Sequence, residues 1–146
     1  MTTHALRATT TANPGPASAW RRTGIVLTGL AVLFFLLDAG GKLIAPEAMI
    51  AHTPPLGLPT GANFYRLLGA ILALCTALHV WPRTALLGAV LLTGFLGGAV
   101  AVNLRADMPL FANTLFGVYL GALMWAGLLL RRPQLAGLLG LGAAMA

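Results

Sequence analysis

The stretch that decides the fold is Thr84 to Leu104, TALLGAVLLTGFLGGAVAVNL, which carries no charged residue. A helix of about 20 such residues spans the hydrocarbon core of a bilayer, and a soluble protein has no core large enough to hide it. Working outward, the short turn Trp81-Pro82-Arg83 separates it from a second apolar stretch, Ala62 to Val80, broken only by Arg66 and His79. Before that, Thr23 to Ala45 follows Trp20-Arg21-Arg22 and is interrupted only by Asp38 and Lys42. On the other side, Met108 to Leu130 is again free of charge, with its helix expected to start near Asn113 or Thr114. Pro46, Pro54, Pro55, Pro59, Pro82, Pro109 and Pro133 all fall in connections or at the ends of these stretches, where a missing N–H breaks no helix. The chain therefore reads as an all-α polytopic membrane protein, a four-transmembrane-helix bundle.

Composition agrees. Of 146 residues, 58% are apolar and only 8% charged, nine Lys or Arg against three Asp or Glu. About 25% charge is usual for a globular domain, so this chain has too few charges to coat one. The net charge of +6 does not indicate a nucleic-acid binder, because single basic residues punctuate apolar runs instead of clustering on one solvated face. A single cysteine, Cys75, excludes an intramolecular disulfide and a CxxC pair, and its apolar setting makes it an inert thiol. His4, His52 and His79 share no helical face, which argues against a haem or zinc site; His79 reads as an interfacial polar residue. No nucleophile elbow, phosphate loop or carboxylate pair is present, so no catalytic or metal-binding residue is assigned and a self-contained enzyme is not expected.

Residues 1–19 are rich in Thr, Ala, Pro and Gly and are expected to form a disordered cytoplasmic tail, followed by a membrane domain over 20–133 and a short tail over 134–146. A cleaved signal peptide is the poorer reading of the first span, because Asp38 adjoins the small-residue site and the tail ahead of the span is long. The side of the N-terminus holds Arg7, Arg21, Arg22, Arg83, Arg131 and Arg132 with no acid. The opposite side balances Lys42, Arg66 and Arg105 against Asp38, Glu47 and Asp107. Positive residues stay on the cytoplasmic side, so both termini are expected there, with the bundle in a cytoplasmic (inner) membrane.

Two features stand out within the bundle. Asp38 and Lys42 are four apart and share a helical face, Arg66 lies at matching depth, Asn103 ends the third helix and Asn113 begins the fourth. Ionisable groups at this depth are costly, so the five form either an outer polar pocket for a proton, an anion or a quinone head group, or an ion-paired collar that fixes helix ends. Gly94 with Gly98 and Gly117 with Gly121 give two G-x-x-x-G patterns, read as close helix packing within the bundle or as a homo-oligomer contact.

From Leu37 onward the chain resembles the DoxX-like family of small bacterial membrane proteins. The resemblance rests on Asp38-Ala-Gly-Gly-Lys42-Leu43, Leu56-Gly-Leu-Pro59, Trp81-Pro-Arg-Thr84, Leu86 through Ala99, Pro109-Leu-Phe111 and Tyr119-Leu-Gly121, within roughly residues 25 to 133. It implies a four-helix bundle and, as the family's namesake is associated with a thiosulfate:quinone oxidoreductase, an accessory or anchoring subunit of a redox complex with quinone nearby. A small transporter for a proton-coupled or anionic solute is the alternative. Members often carry a glutamate midway along the second helix and a histidine at the end of the third; this chain has Leu72 and Asn103 there.

Overall fold

The computed structural model describes residues 16–52 and 56–140; the parts of the expected tails at 1–15 and 141–146, with Arg7, lie outside them. Six α-helices follow in order: α1 (Pro16–Ile44), α2 (Pro46–His52), α3 (Ala62–Val80), α4 (Ala85–Arg105), α5 (Phe116–Arg131) and α6 (Pro133–Leu138), with a π-helical turn at Leu110–Thr114 ahead of α5. No strand occurs among the described residues. Four segments are long and apolar enough to cross a membrane: Ser18–Ile44, Ala62–Val80, Ala85–Arg105 and Leu110–Arg131.

Three boundaries differ from the sequence expectation. The first helix starts at Pro16, so residues 16–19 are helical; proline suits a first turn, where its missing N–H has no partner to lose. At the other end, Pro133 opens α6 in a stretch expected to be a plain tail. The last span begins at Leu110 rather than near Asn113, because Thr114 and Leu115 donate their N–H groups five residues back, to Pro109 O at 3.2 Å and Leu110 O at 2.8 Å. That wider turn inserts one extra residue before the α-helix settles.

The helices close into a ring. α1 packs on α3 and α5, and α4 packs on the same two, while the diagonal pairs make no backbone contact. Glycines set the tightest approaches. At Gly88 the α4 backbone lies against the backbone of His79, and at Gly127 the α5 backbone lies against Thr28 of α1, whose Oγ1 would be 2.6 Å from an added Cβ. His79 is consequently not interfacial but fully buried between α3 and α4. Its Nδ1 lies 3.1 Å from Ala85 O; a carbonyl can only accept, so Nδ1 carries the hydrogen.

Phe35, Leu72, Leu92, Met124 and Leu128 fill the centre, and Cys75 is buried beside them. Leu30, Leu33, Leu37, Leu67, Leu74 and Val90 point outward. An apolar outer face is what a bilayer solvates, so these surfaces contact lipid. Arg21, Arg22, Arg83, Arg131 and Arg132 gather at one end, where Arg132 also donates to the Pro82 carbonyl. The other end carries Asp38, Lys42, Glu47, Arg66, Arg105 and Asp107, and is called the mixed-charge end below.

Candidate functional site

The ring leaves a cavity of about 600 Å³ between the four helices toward the mixed-charge end. Its depths are apolar, with Phe35, Leu72, Phe95 and Leu120 among the walls. Its polar lining (Asp38, Lys42, Tyr65, Asn103, Asn113 and Thr114) comes from the helix ends at the mixed-charge end. Ligand sites commonly enclose about 300–1,000 Å³ with apolar walls and a few convergent polar groups, and this cavity has that character.

Each polar group has a structural reason to be there. Asp38 and Lys42 stand one turn apart on α1, and Lys42 Nζ is ion-paired with Asp38 Oδ1. The pair is largely withdrawn from the surface, with Lys42 15% and Asp38 28% exposed. Gly69 permits this, since its missing side chain lets α3 approach the Lys42 stem and the Ala39 carbonyl to about the closest distance backbone allows. On α4, Asn103 Nδ2 donates to Ala99 O at 2.9 Å, leaving its second hydrogen and its oxygen for other partners. The π-turn carries Asn113 and Thr114 to the cavity wall, and Thr114 Oγ1 donates to Met108 O at 3.3 Å.

A lid closes the end. Met49 from α2 and Leu56 and Leu58 from the following loop line the cavity. Arg105 at the end of α4 holds that loop, donating to Leu56 O at 2.8 Å and Gly57 O at 3.4 Å. Gly57 has φ +66°, the left-handed conformation glycine adopts without steric cost, and its bare Cα faces the guanidinium.

Four of the five residues expected to form an outer polar group line this cavity. Arg66 does not. It is half exposed and lies 3.9 Å from Glu47 of α2, away from the Asp38–Lys42 pair. The inward residue is its neighbour Tyr65, which shares a helical face with Gly69, Leu72 and Thr76, all buried. That spacing was available in the sequence and assigns Tyr65 inward and Arg66 outward.

The glycine patterns also divide. Gly94 and Gly98 line the cavity and have nothing within 4 Å of an added Cβ, so they do not bring helices of the same bundle together. Gly117 packs against Val100 and the Leu96 carbonyl, and Gly121 faces the Leu96 side chain. The close-packing glycines missed by the pattern are Gly24, Gly69, Gly88 and Gly127, which are isolated rather than paired at i, i+4.

A sequence model of the DoxX-like family matches residues 26–127, covering all but the ends of the membrane part. No curated protein and no solved structure matches the chain. The cavity lies within the matched region, and its wall includes Leu72 and Asn103.

Proposed function

The chain belongs to the DoxX-like family, and from that premise we propose an accessory or anchoring subunit of a quinone-linked redox complex, without a catalytic centre of its own. It resides in the bacterial inner membrane with both termini on the cytoplasmic side, where the arginine-rich end of the bundle belongs. The observation that carries the reading is the division of the cavity into an apolar depth and a polar end. That division suits an amphiphile with a small polar head.

The residues present fit a quinone. Lys42, Asn103, Asn113 and Tyr65 offer donors to ring carbonyls, and the aromatic and aliphatic walls suit the ring face. When bound, a quinone supplies electron-accepting chemistry. The chain's own residues bind and orient the head, and Leu56, Leu58 and Met49 keep water from it at the lid. Leu72 in place of an acid leaves the depth of the site without an ionisable group, which favours holding a ligand over relaying protons. Transport of a proton-coupled or anionic solute would rest on Asp38 and Lys42, and these two are already paired with each other.

Partner identification tests the subunit reading. The tagged full-length chain, extracted from host membranes in a mild detergent, should copurify with subunits of a redox enzyme. Isolation as a lone protein that is stabilised by a simple anion would instead favour the transport alternative.

A further inference from the structure

Along the seam between α1 and α5, the cavity and a groove on the lipid-facing surface share wall side chains. We infer that this seam is a lateral opening, through which the apolar tail of the ligand held in the cavity extends into the bilayer. The inference rests on the ligand reading above and adds the route and the location of the tail. A second, shallower groove of about 530 Å³ lies between the same two helices, bordered by Leu33 and Leu37 of α1 and by Tyr119 and Leu123 of α5. Cavity and groove share three residues: Phe34, Phe116 and Leu120. Each of those side chains borders both spaces.

The seam changes character along its length. In the half toward the arginine end, α1 and α5 meet at backbone distance, where Gly24 faces Leu130 and Arg131 and Gly127 faces Thr28. Parting the helices there would break main-chain packing. Toward the mixed-charge end the helices are spaced by side chains instead, with the Phe34 and Phe116 rings 5.0 Å apart at 55°. Both rings are about two-fifths exposed, at 41% and 42%, so each can rotate without displacing a helix. Exposed side chains change rotamer in picoseconds to nanoseconds, far faster than helices shift. Two of the other three seams are closed near this end by close backbone approach, α1–α3 at Gly69 and α4–α5 at Gly117.

The occupant follows from the chemistry of the groove. No charged side chain borders it, so it takes an alkyl or isoprenoid chain and not a head group. Phe34 precedes Asp38 by one helical turn, which places the opening directly below the ion pair at the polar end. A head beside Asp38 and Lys42 thus has its tail at the seam, and the tail need not coil inside the cavity.

The test uses a benzoquinone with a ten-carbon tail ending in a photoreactive diazirine, added to the full-length protein in phosphatidylcholine nanodiscs. Cross-links are mapped with and without excess 2,3-dimethoxy-5-methyl-1,4-benzoquinone, which has the head and no tail. Labelling should concentrate on Leu33, Leu37, Tyr119 and Leu123, and the tail-less competitor should reduce it at least fivefold although it cannot occupy the groove. Leu33→Trp, which fills the groove at a lipid-facing position, should lower that labelling by a similar factor. Competable labelling confined to inner walls such as Leu68 and Leu72 would overturn the opening while leaving the cavity reading intact. Labelling spread over all lipid-facing surfaces and insensitive to the competitor would overturn both.

Discussion

Asp38 and Lys42 form one partly buried unit, and Arg66 belongs to a different one. Removing one member of a withdrawn pair leaves the other charge uncompensated, whereas an exposed pair such as Arg66–Glu47 contributes about 0–1 kcal/mol. A double-mutant cycle on unfolding free energy in detergent should give a coupling of about 1–3 kcal/mol for Asp38→Asn with Lys42→Gln. The same cycle on Asp38→Asn with Arg66→Gln should be additive within about 0.5 kcal/mol. Strong coupling to Arg66 would return it to the cluster and contradict the geometry. The sequence made the Asp38–Lys42 pairing legible, because a spacing of four fixes a shared face. It left Arg66 misplaced because matching depth says nothing of direction around a helix; Gly69, Leu72 and Thr76, spaced along the face of Tyr65, carry that information instead.

At the scale of elements, the four spans were legible because each is a continuous apolar run bounded by prolines and charges. The turn at Trp81-Pro82-Arg83 likewise read directly as a short link between two spans, and Thr84 Oγ1 closes it on Leu78 O at 2.8 Å. The π-turn at Leu110–Thr114 was not legible: one inserted residue alters the hydrogen-bond register without altering composition. Nor was helix contact readable from G-x-x-x-G alone, since the pattern also occurs where small residues leave room for a cavity. The α1–α5 contact gives the sharpest check. Gly127→Ala puts a Cβ 2.6 Å from Thr28 Oγ1 and 2.8 Å from its backbone N, so the protein should lose about 1–3 kcal/mol and melt lower. Gly98→Ala meets nothing within 4 Å and should stay within about 1 kcal/mol of the parent. Equal losses in the two variants would mean that Gly98 faces a helix rather than open space.

As a whole, the molecule is a ring of four helices whose α1–α5 and α3–α4 seams close on glycine contacts toward the arginine end and which holds a cavity toward the mixed-charge end. Its charge asymmetry was visible from residue positions alone, and the structure collects those charges at two ends. The cavity was only partly visible, because its walls come from elements distant in sequence and its volume depends on what Gly94 and Gly98 lack. The central claim is that this cavity holds a quinone-type amphiphile, and Gly98 tests it without touching a polar group. The measurement is equilibrium binding of decylubiquinone to the full-length protein in phosphatidylcholine nanodiscs, with the uptake of empty discs subtracted. Gly98→Leu places a branched side chain in the cavity, and Gly29→Leu, whose site is exposed with nothing within 4 Å, serves as the lipid-facing control. Saturable binding to the parent and to Gly29→Leu, lost by at least tenfold in Gly98→Leu at an unchanged melting temperature, is the result predicted. Binding that is absent from the parent, or indifferent to a filled cavity, would contradict it.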